Sequence, residues 1–132
     1  MVPPSDTSLT KAFLDYSRTL LADEYWPRLR GCVESLTDEQ VWWRPNDASN
    51  SVGNLVLHLN GNVRQWILVP FAGAEDLRDR PAEFKQRAQL PRSALIGELG
   101  TTVGRAAEVI RTLMPADLAR TLNIQGYATT GL

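Results

Sequence analysis
The chain contains one histidine, His58. It stands in the stretch SNSVGNLVLHLNGNVRQW, with Asn54 and Asn62 one helical turn before and after it and Gln65 two turns on. Spacings of three and four residues stack side chains on one helix face. An imidazole there can serve as a metal ligand or as a general base near neutral pH. The amides beside it suit the orienting of the ring or of a substrate. Against this, a metal site needs three or four protein ligands, and a lone imidazole supplies one. From residue type alone, a boundary histidine bonded to solvent or to a carbonyl is the commoner case.

The other reactive side chains have weaker patterns. The carboxylates Asp15, Asp23, Glu24, Glu34, Glu98 and Glu108 fall on helical segments but form no Glu-x-x-His pair of the di-iron bundle kind, so they read as a solvated face. Cys32, the only cysteine, has Arg28 and Arg30 nearby, which would lower a thiol's pKa if they faced it. A small buried hydrophobe is the ordinary reading. Trp42 and Trp43 cannot both face one core from a helix, so one is expected in the core and the other at a cleft or surface. Arg78, Asp79, Arg80, Glu83 and Phe84 form a charged cluster that suits either an anionic ligand or a local ion pair pinning a long loop. No glycine-rich phosphate loop and no Ser-His-Asp set can be assembled.

These residues need elements to carry them. Met1–Thr7 reads as a short disordered lead. Leu9, Phe13, Tyr16 and Leu20 recur at steps of three and four, which predicts a helix from near Ser8 with that face buried. Pro27 should kink or break it near Tyr25 or Trp26. Thr37 and Gln40 make a capping box ahead of a short helix that ends before Pro45. Ser49 or Asn50 is expected to cap the next helix, whose apolar face is Val52, Leu55, Val56, Leu59, Val63, Trp66 and Ile67. That helix should stop near Val69, before Pro70. Phe71 to Leu90 reads as a charged connection. A third long helix opens at Pro91 or Ser93, buries Leu99, Val103, Ala106 and Ile110, and ends at Pro115. Leu122–Ile124 is a brief strand-like piece. The pattern is all-α, an up-and-down helical bundle.

Composition narrows the classes. A length of 132 residues fits one domain. Fourteen Lys and Arg against 15 Asp and Glu give a net charge of −1, which offers nothing to nucleic acid. No apolar run is long enough to cross a membrane, and the N-terminus lacks the pattern of a signal peptide. One cysteine allows no disulfide framework, so a cytoplasmic location is expected.

Four stretches together, LTDEQVWWRP, SNSVGNLVLHLNGNVRQWI, RDRPAEF and NIQGYATT, give the chain a resemblance to the DinB-like superfamily, in its DUF1572 branch. The resemblance covers nearly the whole chain, residues 1–132 forming a single DinB-like domain. It implies a four-helix bundle, often a homodimer. Typical members bind a divalent metal, zinc or nickel, through one histidine on the second helix and a His-x-x-x-His pair on the last. By position His58 matches the second-helix ligand, with Asn54, Asn62 and Gln65 as its supporting or pocket residues. Better-known relatives are thiol-dependent S-transferases and a maleylpyruvate isomerase. A metal-dependent transferase or hydrolase acting with a small-molecule or low-molecular-weight thiol substrate is therefore the implied activity. Nothing here matches the last-helix pair, so the chain is expected to lack the final bundle helix. The alternatives are a non-catalytic helical self-association module or an incomplete fragment without its metal site.

Overall fold
A computed structural model of the chain describes residues 5–132. The architecture is all-α with one small hairpin, as expected. Three long helical runs pack side by side, with the third at the centre.

The first run comprises α1 (Asp6–Arg18), a π-helical stretch (Thr19–Tyr25) and α2 (Trp26–Glu34). Ser5 caps it by accepting from Ser8 N at 3.2 Å, so the helix starts before Ser8 and takes in Asp6 and Thr7. The lead Met1–Pro4 lies outside the described residues. Pro27 does not break this run. The Trp26 N–H donates to Leu21 O, five residues back, and that wider turn accommodates the residue that cannot donate. The second run repeats the device. It comprises α4 (Val52–Val63), a π-helical stretch (Arg64–Leu68) and α5 (Val69–Ala72). Val69 N–H donates to Arg64 O just before Pro70, so this helix passes the proline where it was expected to stop. It ends instead at Gly73, which is left-handed at φ 67°, with Ala74 N donating to Leu68 O at 3.2 Å. A left-handed glycine is a common way to end a helix, here closed by a wide i→i−6 bond.

Between the two runs lies α3 (Asp38–Trp42), opened by the expected capping box: Gln40 N donates to Thr37 Oγ1 at 3.1 Å and Thr37 N to Gln40 Oε1 at 2.9 Å. The third run is α7 (Arg92–Thr112). The connection before it was expected to be irregular but contains α6 (Arg80–Lys85), capped by Asp79 with Pro81 in its first turn. After α7 come α8 (Pro115–Ala119) and a hairpin of β1 (Leu122–Ile124) with β2 (Tyr127–Thr129). The hairpin register pairs Leu122 with Thr129 and Ile124 with Tyr127. Its two-residue turn, Gln125–Gly126, has φ of 53° and 79°, the geometry that matches strand twist.

The core gathers on α7. Leu95, Leu99 and Val103 pack with Val33, Val41, Trp42 and Val56, and further along Ile110 packs with Leu14 and Leu118. Trp42 is buried and Trp43 exposed, the split expected of adjacent tryptophans. A Cβ on Gly53 would meet the Trp42 ring at 2.8 Å, so glycine allows α3 to lie on α4. Trp42 Nε1 donates to Leu90 O at 2.9 Å.

Two expected faces are corrected. On α1, Leu14 is buried while Leu9, Phe13 and Tyr16 are exposed. On α4, Gly53, Asn54 and Val56 are buried while Leu55 and Leu59 are exposed. The reason is the number of neighbours. α7 covers one side of each run and α6 covers a second side of α4, so part of each apolar stripe has nothing against it. Between these runs, over α7, lies an apolar groove of about 340 Å³ lined in part by Tyr25, Trp26, Leu59 and Val63. Cys32 is also exposed and is not the buried hydrophobe expected, because it sits on the outer side of α2 from Val33.

Candidate functional site
α4 and α6 face each other, and their packing brings His58 to Glu83 and Arg78. Asn54 makes the joint. It is fully buried and works in two directions. Its Oδ1 accepts from Ser51 N at 3.1 Å and from Ser51 Oγ at 2.8 Å, while Ser51 Oγ accepts from Asn54 N at 3.0 Å. That box makes Ser51 the cap of α4, in place of Ser49 or Asn50. Its Nδ2 donates to Glu83 O at 2.9 Å and to Gln86 O at 3.0 Å. One amide thus starts α4 and holds the C-terminal half of α6 against it.

One turn on from Asn54, His58 has a side chain 27% exposed, whereas its partners Glu83 and Arg78 are 11% and 5% exposed. Its Nδ1 lies 3.2 Å from Glu83 Oε1 and 3.1 Å from Arg78 Nη2. Arg78 grips the same carboxylate side-on, donating from Nε to Oε2 and from Nη2 to Oε1, both at 3.0 Å. Phe84 stacks against the imidazole at a tilt, 4.9 Å between ring centres, and Arg80 lies 5.4 Å above the Phe84 ring. The ring is thus held from behind and from one side, and its back nitrogen, Nδ1, is engaged. Its outer nitrogen, Nε2, has no hydrogen bond among the described residues.

The network runs on from Arg78. Its Nη1 donates to Gln65 Oε1 at 2.9 Å, and Gln65 Nε2 donates to Asp76 Oδ2 at 3.1 Å. Gln125, at the hairpin tip, closes this side. In one amide orientation it donates to Gln65 Oε1 at 2.7 Å. In the other its oxygen accepts from Trp66 Nε1 at 3.1 Å and Arg78 Nη1 at 3.2 Å. A non-glycine residue at positive φ costs on the order of 1–3 kcal/mol, and these contacts offset that cost. A polar cleft of about 450 Å³ opens here, lined by Gln65, Arg78, Asp79, Arg80, Pro81 and Gln125.

Of the residues singled out from sequence, His58, Gln65, Arg78 and Glu83 share this network. Asn54 supports it from below without touching the ring. Asn62 is half-buried and makes no side-chain hydrogen bond among the described residues. The ion pair expected within the charged cluster forms between Arg78 and Glu83, but its contact with His58 was not expected from sequence, nor were Asp76 and Gln125. The signal for Glu83 was present: Asp79-Arg80-Pro81 is a cap followed by a first-turn proline, and a helix there turns Glu83 toward α4. Among the described residues no three His, Cys, Asp or Glu side chains stand together as a metal cluster.

Gly61 makes the close approach possible. A Cβ at this position would sit 2.0 Å from Glu83 Oε2 and 2.9 Å from Arg78 Nε. In an open helix Gly→Ala gains about 1 kcal/mol. For Gly61→Ala the sign reverses, because the carboxylate must leave a buried pair; a loss of about 1–3 kcal/mol is expected. Gly97→Ala, where nothing lies within 4 Å, should show the ordinary gain. Urea denaturation of the two variants checks the contrast.

A family model described as the DinB superfamily matches residues 21–131. The chain belongs to the DinB superfamily. The match takes in the second run, α6, α7 and the hairpin, so His58, Glu83, Arg78 and Gln125 all fall within the DinB-superfamily region. No match was found among curated proteins or among solved structures. No helix among the described residues is long and apolar enough to cross a membrane.

Proposed function
We propose that this DinB-superfamily chain, of the DUF1572 branch, is a divalent-metal-binding protein related to the thiol-dependent S-transferases, with His58 Nε2 as its metal ligand. The observation that carries the reading is the unequal treatment of the two ring nitrogens. Nδ1 is backed by a carboxylate and Nε2 is left open, the arrangement in which a histidine ligates a metal. Fit to a zinc or nickel ion is partial. These residues form one corner of a site, a single imidazole with its support, and the Glu83 carboxylate is already taken by Arg78. When bound, such an ion supplies Lewis acidity that makes a thiol or a water a nucleophile near neutral pH. The chain's own residues do the rest. Glu83 and Phe84 hold the ring and Asn54 holds α6, while the family resemblance supports Asn62 and Gln65 as the residues that orient a small-molecule or low-molecular-weight thiol substrate.

Calorimetric titration with zinc or nickel tests this reading. Heat of binding is expected for the native chain and is lost in His58→Ala. Glu83→Gln should weaken it by about 10–100-fold, the usual effect of removing a ligand's carboxylate support. Binding that survives His58→Ala contradicts the reading. A single cysteine and the absence of a disulfide framework support a cytoplasmic setting.

A second reading is favoured by the exposed Leu55, Leu59 and Tyr25 beside the apolar groove. It is a helical module that works by self-association as a homodimer. Light scattering should then give twice the chain mass, with a melting temperature indifferent to chelator. A chelator-induced fall counts against it.

A further inference from the structure
We propose that the point held by the end of the Gln125 side chain is a hydroxyl-binding site, where an alcohol group of a small polyhydroxylated ligand displaces the glutamine. Metal at His58 plays no part in it.

The terminal atom of the Gln125 amide lies 2.7 Å from Gln65 Oε1, 3.1 Å from Trp66 Nε1 and 3.2 Å from Arg78 Nη1. Two of these neighbours are fixed in character, because indole and guanidinium nitrogens donate and do not accept. The third is fixed by its other partners. Gln65 turns its Nε2 to the Asp76 carboxylate and its Oε1 to Arg78 Nη1. Exchanging the two ends of that amide would set oxygen against carboxylate and NH2 against guanidinium. The point is therefore faced by two donors and one acceptor.

Neither end of the Gln125 amide matches that set. Its NH2 group serves Gln65 but has no accepting lone pair for Trp66, whose indole N–H has no other hydrogen bond among the described residues. Its oxygen accepts from Trp66 and Arg78 but then meets Gln65 Oε1 at 2.7 Å, oxygen against oxygen. Gln65 is buried, where a mismatched polar contact costs most. A hydroxyl carries one donor and two accepting lone pairs, the complement of the point.

The backbone marks the same residue. Gln125 stands at φ 53° in a two-residue turn that favours Asn, Asp or Gly, so turn chemistry does not account for it. It is exposed, so its amide can leave for water at little cost. The polar cleft of about 450 Å³ that opens here also presents Asp79 and Arg80, which can accept from and donate to further hydroxyls. A neutral polyol fits this lining better than an apolar ligand does.

The probe is xylitol. Its permethylated ether is the control, since it keeps the oxygen acceptors and has no O–H donor. Four tryptophans give four indole N–H signals in a ¹H–¹⁵N spectrum, and Trp66→Phe assigns the one from Trp66. Xylitol is expected to shift that signal saturably and to leave the exposed Trp43 unmoved. The ether is expected to move neither. Gln125→Gly removes the competing amide and keeps a residue suited to the turn. It should bind xylitol about tenfold more tightly, as when an occupant that fills a site about nine-tenths of the time is removed. A Trp66 signal indifferent to xylitol in both proteins would mean that the point takes only water or Gln125 itself, and overturns the proposal. An equal response to the ether, or binding no tighter in Gln125→Gly, also overturns it. The titration is run without metal, so failure of metal binding leaves it unaffected and the two readings fail separately.

Discussion
Asn54→Ala is expected to be among the most damaging single substitutions in the chain, at about 3–4 kcal/mol. Its side chain makes four hydrogen bonds, two from Ser51 and two to the carbonyls of Glu83 and Gln86. Each is worth about 1 kcal/mol net, and the partners left behind sit in a region with little access to water. For a domain of this size the melting temperature should fall by on the order of 10 °C. Asn54→Asp separates the two halves of the role. It keeps the acceptor that caps α4 but turns a charge toward two carbonyl oxygens, so it should be no milder than alanine. A substitution that merely shortened α4 would cost only the cap, about 1 kcal/mol. Thermal melts of the two variants check the prediction.

The second large effect is expected at Glu83. Arg78 is 5% exposed, and Glu83→Ala strips it of its carboxylate while leaving Gln65 as its remaining firm partner. Breaking a buried pair from one side costs about 3–5 kcal/mol, because a charge is left without compensation. Removing both sides is milder. Glu83→Ala combined with Arg78→Met should therefore be more stable than Glu83→Ala alone, with a coupling of up to about 3 kcal/mol. Denaturant titration of the two singles and the double gives that coupling. Additive losses would mean that the pair does not act as a unit.

Much of the fold was legible because it depends on local rules. The Thr37–Gln40 box, the Trp42/Trp43 division and the β1 strand all follow from spacing and residue type. An i→i−4 helix has to stop before Pro70 and be interrupted at Pro27, but the helix runs past Pro70, and at Pro27 it changes type between Tyr25 and Trp26 without ending. At Trp26 and Val69 the chain uses an i→i−5 bond and continues. The buried faces of α1 and α4 were drawn too wide, because periodicity identifies apolar stripes but not how many neighbours will cover them. The site was half legible. His58 stood out as the only imidazole, whereas its Glu83 and Arg78 partners lie 25 and 20 residues away along the chain. Nothing in the local pattern says that α6 folds back on α4. Asn54 was read as a neighbour of the ring, and its reach is instead to the α6 backbone, which no helical wheel displays.

The proposed function comes down to one claim: α4 and α6 hold His58 with Nδ1 engaged by its neighbours, and Nε2 is the nitrogen that takes a metal. The most direct test follows the two ¹⁵N ring signals of His58 while zinc is added. The account predicts that the Nε2 signal makes the larger shift on titration, as expected of the nitrogen that binds the ion. Zinc that leaves both nitrogens unmoved, or that shifts Nδ1 alone, contradicts it.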